Sequence, residues 1–117
     1  SDSIFKGVKY ESSITVDVQE LNEYEEIIKY SPSPRLLKID VQGEEYNLLL
    51  GSNKIFKYLD AIIVEITLFS VYEGVNFSER DICCFLSKNN FKVGLIYNKI
   101  WENGKLISAD YLFLRKN

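Results

Sequence analysis

Residues 36–45 read Leu-Leu-Lys-Ile-Asp-Val-Gln-Gly-Glu-Glu, and residues 61–66 read Ala-Ile-Ile-Val-Glu-Ile. Each opens with a continuous apolar run of strand length, the pattern of a strand covered on both faces. Between the two runs, Gln42-Gly43 reads as a turn. Glu44 and Glu45 open a helix, where negative charge suits the amino-terminal dipole. Tyr46, Leu49 and Leu50 form its apolar face, and Gly51 breaks it. Two buried strands joined by a helix make a βαβ unit, so the strands are expected to run parallel.

Upstream, Leu21, Tyr24, Ile27 and Ile28 recur at helical spacing among Glu20, Glu23, Glu25 and Glu26, which predicts an amphipathic helix over 18–30. Ser31-Pro32-Ser33-Pro34 stops it. Ile14-Thr15-Val16 is a short β-branched run. Downstream, 67–77 reads as a loop carrying Phe69, Tyr72 and Phe77. Ser78 caps a helix with Asp81 three residues on, and Ile82, Phe85 and Leu86 form its inner face. Asn89-Asn90 ends that helix, and 91–97 is strand-like. Asn103-Gly104 suits a tight hairpin turn, and 106–114 returns as the last strand. The expected architecture is one α/β domain over 1–117, three layers deep, with two parallel and two antiparallel strands.

Composition narrows the function. The chain has 117 residues, 46% hydrophobic and 26% charged, which argues against global disorder. A net charge of −3 without a long basic run disfavours nucleic acid as a partner. There is no His, which removes Ser-His, Cys-His and His-rich metal chemistry. There is no Met either, so Ser1 is read as a processed start or as a cut within a longer product. Cys83 and Cys84 are adjacent, make neither a disulfide framework nor a zinc site, and read as small reduced core residues on a helix. No run approaches a membrane span and no signal sequence opens the chain, so a cytoplasmic protein is expected.

In open parallel sheets, ligands bind beyond the carboxyl ends of the strands. Asp40 and Glu65 lie near those ends, which makes them candidate catalytic carboxylates. Glu45 starts the intervening helix on the same side. Lys38, two residues before Asp40, shares its sheet face. A carboxylate at an apolar strand end carries a desolvation cost that is tolerated where it is useful. The plainer alternative has Asp40 tying down the following turn and Glu65 pairing with Lys38 or a backbone group. Gln42-Gly43 offers backbone N–H groups at a helix start, a weak anion-binding signal beside a plain tight turn. Tyr72-Glu73 follows Glu65 on the cleft side. Nothing in the pattern specifies a metal.

Together these segments resemble the FkbM family of S-adenosylmethionine-dependent methyltransferases. Lys38-Ile39-Asp40-Val41-Gln42-Gly43 with Glu45 is similar to the family's Lys-Ile-Asp-Val-Glu/Gln-Gly-x-Glu motif. Residues 48–51, Ile63-Val64-Glu65, Tyr72-Glu73-Gly74, Ala109-Asp110 and Thr15-Val16-Asp17 are further points of likeness, over about 14–115. The resemblance implies a Rossmann-like sheet, of which this chain supplies a half-sheet of strands 4-5-7-6 with the last strand antiparallel. It also implies methyl transfer from S-adenosylmethionine to a hydroxyl of a sugar or natural product. The residue roles come from the strand-end placement and not from the resemblance: Asp40 and Glu65 are expected to be catalytic, and Lys38, Glu45, Tyr72 and Glu73 substrate-binding. Asp40, Gln42 and Gly43 would touch the cofactor. The family's glycine-rich turn and ribose-binding acid are not found in 1–35. The chain therefore matches only the carboxyl-terminal half and is expected to be an inactive fragment alone.

A half-sheet leaves strand 36–41 with a bare edge, and such an edge pairs with something. The expected partners are the missing amino-terminal half or a second copy, joined through residues 36–41, with residues 1–16 as alternative cover. A small-molecule substrate is expected, with no membrane partner. A non-catalytic α/β binding or dimerisation module is the competing reading. A small nucleotide-binding α/β protein is weaker, because no phosphate loop is visible.

Overall fold

The computed structural model describes residues 21–39, 49–68 and 79–117. A 3-10 turn, Leu21–Tyr24, leads into helix α1, Glu25–Tyr30. Strand β1 is Leu36–Ile39, strand β2 is Ala61–Thr67, helix α2 is Glu79–Lys88, and strands β3, Phe91–Glu102, and β4, Lys105–Arg115, close the chain. They form one four-stranded sheet in the order β1-β2-β4-β3.

β1 and β2 pair in parallel, from Leu36 opposite Ala61 to Ile39 opposite Val64. β4 is antiparallel to both β2 and β3. β1, β2 and β3 therefore share one direction and β4 alone runs against them. This corrects the two-and-two division and agrees with the expected half-sheet whose last strand is antiparallel. β3 is reached from β2 through α2 with β4 inserted between the two strands, so its direction follows from the crossover and not from the hairpin alone. The hairpin turn is as the sequence predicts: Asn103 and Gly104 both have positive φ, 51° and 76°, the pair of values a type I′ turn needs.

Alternation sorts the side chains into two faces. Ile62, Val64 and Ile66 of β2, with Ala109, Tyr111 and Phe113 of β4, point to the main core. Ile82 and Leu86 of α2 cover them, with Leu49, Ile55, Phe56 and Leu59 of the connection before β2. Phe56 meets Phe85 and Phe91 edge-on, at 5.8 and 6.2 Å between ring centres. Fully burying each such side chain is worth about 1.5–3 kcal/mol, which accounts for an α2 only ten residues long. The opposite face holds a smaller cluster of Ala61, Ile63 and Leu112, with Leu36 and Tyr97 against it. The described helical segments pack against the main core, so two of the three expected layers are described.

Over residues 61–66 β2 is apolar and buried on both faces except at Glu65, as expected. β1 differs: it is an edge strand among the described residues, and Lys38 is exposed. Two arginines fasten one end of the sheet, where β1 and β2 begin and β4 ends. The Arg35 backbone N–H donates to Asp60 Oδ2 at 2.6 Å, and its side chain donates to the Ser31, Tyr58 and Lys29 carbonyls. The Arg115 side chain donates to the Phe56 and Leu59 carbonyls and lies 4.9 Å from the Phe91 ring centre. No helix among the described residues is long and apolar enough to cross a membrane.

Candidate functional site

Glu65 occupies the fifth position of β2, near its carboxyl end. Its cross-strand partner on β4 is Asp110, and the partner of Asp110 on β3 is Tyr97. Directly opposed residues of an antiparallel pair project to the same face. A row of Tyr97, Asp110 and Glu65 therefore crosses three strands on the face away from the main core. β3 is irregular here, with register shifts between Tyr97 and Ile100, and Asn98 has a φ of 49°. Asn tolerates that conformation better than most residues, and the irregularity turns its side chain toward β4, where Nδ2 donates to Asp110 Oδ2 at 2.8 Å.

These residues wall a cleft of about 450 Å³, lined among the described residues by Glu65, Asp110, Asn98, Lys99 and Ile100, with Ser108 and Ala109. Its volume is in the range of small-molecule sites. Its wall sets two carboxylates against one ammonium. Like charges directly opposite in a sheet cost roughly 0.2–1 kcal/mol, and Glu65 and Asp110 stand in that relation.

Of the residues singled out in the sequence, Glu65 lines this cleft. Lys38 lies opposite Ile63, two residues before Glu65 on β2, and is exposed outside the cleft wall. Asp40, Gln42, Gly43, Glu45, Tyr72 and Glu73 lie outside the described residues. Ile39 opposite Val64 is the last described pair of β1 with β2, and Asp40 and Glu65 are the next residues in each chain segment. Asp110, Asn98 and Lys99 were not read as site residues. Strand alternation does place Asp110 on the face opposite Ala109 and Tyr111. Only the register shows that it meets Glu65.

A second polar cluster lies on the main-core face. Tyr111, 3% exposed, donates a short hydrogen bond to Glu79 Oε2 at the start of α2. Burial pushes the Tyr111 hydroxyl well above the usual tyrosine range, and the Glu79 bond and charge add to it. Burial also raises the Cys83 thiol, helped by the charge of Glu79 and by Cys84. A raised thiol is protonated at neutral pH and is a poor nucleophile. The two cysteines differ from expectation in placement: Cys83 packs half-buried against the core, but Cys84 is exposed.

Residues 2–93, more than half of the chain, match the family model of the methyltransferase FkbM domain. The chain belongs to the FkbM methyltransferase family. No curated protein and no solved structure matches it. The matched range of the FkbM domain contains Lys38, Glu65 and α2 and ends within β3, so Asp110 lies beyond it. A methyltransferase needs a methyl donor. The cleft's carboxylates and amide suit hydroxyl groups, whereas no strand followed by a glycine-rich turn, the cradle for a donor's nucleoside, occurs among the described residues.

Proposed function

We propose that the chain forms the acceptor side of an S-adenosylmethionine-dependent O-methyltransferase of FkbM type. The observation that carries this reading is the place of Glu65: a carboxylate at the carboxyl end of a buried parallel strand, on the wall of a cleft of small-molecule size. The donor supplies a sulfonium methyl group. The chain's own residues orient an acceptor hydroxyl and accept its proton, a role we assign to Glu65 with Asp40. Glu45, Tyr72 and Glu73 shape the acceptor side, and Lys38 lies at its margin. The acceptor is a hydroxyl of a sugar or natural product.

The order β1-β2-β4-β3, with one reversed strand, supports equivalence to strands 4-5-7-6 of a Rossmann-like methyltransferase sheet. In this reading the chain corresponds to the carboxyl-terminal half. Asp40, Gln42 and Gly43 add minor cofactor contacts, the nucleoside is held chiefly by other residues, and the chain alone is inactive. The edge of β1 would join the complementary half or a second copy.

The test is transfer of a labelled methyl group from S-adenosylmethionine to a panel of hydroxylated compounds, by the natural protein that carries this sequence. Incorporation is expected, reduced about 10²–10⁴-fold by Glu65→Gln if the carboxylate takes the proton. Failure to label any acceptor, together with no saturable binding of S-adenosylhomocysteine, would overturn the proposal.

A further inference from the structure

We infer that Asp110, positioned by Asn98, is a second acceptor-binding carboxylate of the cleft, and that the Glu65–Asp110 pair selects an uncharged or amine-bearing polyol over an anionic one. This rests on reading the cleft as the acceptor side.

Three observations carry it. The first is register. Asp110 stands directly opposite Glu65 on the same face, with neighbouring strands about 4.8 Å apart. Two carboxylates borne on directly opposed positions of adjacent strands can each accept a hydrogen bond from one of two neighbouring hydroxyls on a single ligand. One carboxylate alone fixes a hydroxyl's position but leaves the ligand free to rotate about it.

The second is the amide. Asn98 donates to one oxygen of Asp110, at 2.8 Å, from a backbone conformation with positive φ. The bond sets the orientation of the carboxylate and leaves its second oxygen as an acceptor, since an ionised carboxylate offers about four lone-pair positions. Asn98 thus acts through Asp110 as a positioning residue.

The third is charge. The described wall holds two carboxylates and the single ammonium of Lys99. A phosphorylated or carboxylated acceptor would bring a third negative charge to a place where two already oppose each other. Like-charge juxtaposition at a binding surface disfavours the wrong partner. A neutral polyol brings only hydroxyl donors, and an amine adds attraction.

The test is an NMR titration of the 117-residue chain with glucose, glucosamine and glucose 6-phosphate in turn. It follows the Asn98 side-chain amide and the backbone amides of residues 108–110. Glucose and glucosamine are expected to move these signals, with glucose 6-phosphate at least about tenfold weaker. Asp110→Asn should close that gap by admitting the phosphate. Asn98→Gly keeps the positive φ permissible and deletes the amide, so it should weaken glucose binding several-fold while the core signals stay in place. The inference is overturned if the phosphate binds as well as glucose, if Asp110→Asn leaves the gap unchanged, or if no sugar moves these signals. Retained selectivity here, with no methyl transfer by the natural protein that carries this sequence, would refute the enzymatic reading and leave this ligand class standing.

Discussion

Replacing Tyr111 by Phe removes one oxygen atom from the centre of the main core and should show how α2 is fastened to the sheet. The ring stays, stacked on Phe113 at 6.2 Å between centres, so no cavity beyond the hydroxyl opens. What is lost is the bond to Glu79. Hydrogen bonds to charged groups contribute about 1.5–3 kcal/mol. Glu79 is only half-buried, in the first turn of α2, and can turn toward water. That argues for the lower end, about 1.5 kcal/mol, or a melting point lower by roughly 4–8 °C for a chain of this size. The pH dependence adds a second, independent signature. The folded pKa of Tyr111 is raised above its ordinary value of about 10, so the folded state resists forming the tyrosinate. Its contribution is complete below pH 10 and is lost progressively as pH rises beyond that. Urea unfolding at pH 7 and in steps above pH 10 measures both. The wild-type protein should lose stability with pH more steeply than Tyr111→Phe, because the variant has no hydroxyl to ionise. Equal stability at pH 7 and parallel loss above pH 10 would refute the reasoning.

Arg115→Lys should destabilise by about 1.5–3 kcal/mol, since a lysine cannot serve the Phe56 and Leu59 carbonyls together while stacking on Phe91. Lys116→Ala should stay within about 0.5 kcal/mol, because its bonds to Ser87 are exposed, and urea unfolding of the two variants side by side checks the contrast. Gly104→Ala should cost about 1 kcal/mol by the same measurement. A Cβ there meets nothing within 4 Å, so the whole effect comes from holding alanine at φ 76°. A neutral result would show that the turn had relaxed to another type.

The fold was legible where local pattern and tertiary role coincide. Residues 61–66 are apolar at nearly every position, and they form the buried β2. Asn103-Gly104 carries its turn chemistry in two residues, and the hairpin closes there. β3 runs to Glu102, five residues past the predicted end at Tyr97, because Asn98 and Lys99 interrupt the apolar pattern without ending the pairing with β4. The two-and-two count drawn from the hairpin alone differs from the structure for a related reason, whereas the half-sheet with only its last strand antiparallel agrees with it. A hairpin states that two strands oppose each other, but not which of them opposes the rest of the sheet. The lining of the candidate cleft was legible in part. Glu65 stands out as the one charged residue in its run, and the carboxyl-end rule points to it. Asp110 sits in a run, Ser108-Ala109-Asp110-Tyr111, that reads as an ordinary alternating strand. Its meaning comes from the residue across from it, and register is a long-range quantity that a single strand does not encode.

The two faces of β4 treat charge in opposite ways, and the contrast supports the proposed site. On the core face, Tyr111 is buried with a carboxylate that accepts its hydrogen bond, an arrangement in which the polar groups satisfy each other. On the other face, one residue away, Asp110 opposes Glu65, an arrangement that weakens the sheet. A strand selected only for stability would place an apolar residue or a cation at one of the two positions, and β2 carries an apolar residue at each of positions 61–64 and 66. Local rules are broken in natural proteins chiefly where something other than stability is served. Here the break faces a cleft of small-molecule size in a chain of a methyltransferase family, and in the proposed reading a ligand's hydroxyls or amine bring hydrogen-bond donors to both carboxylates.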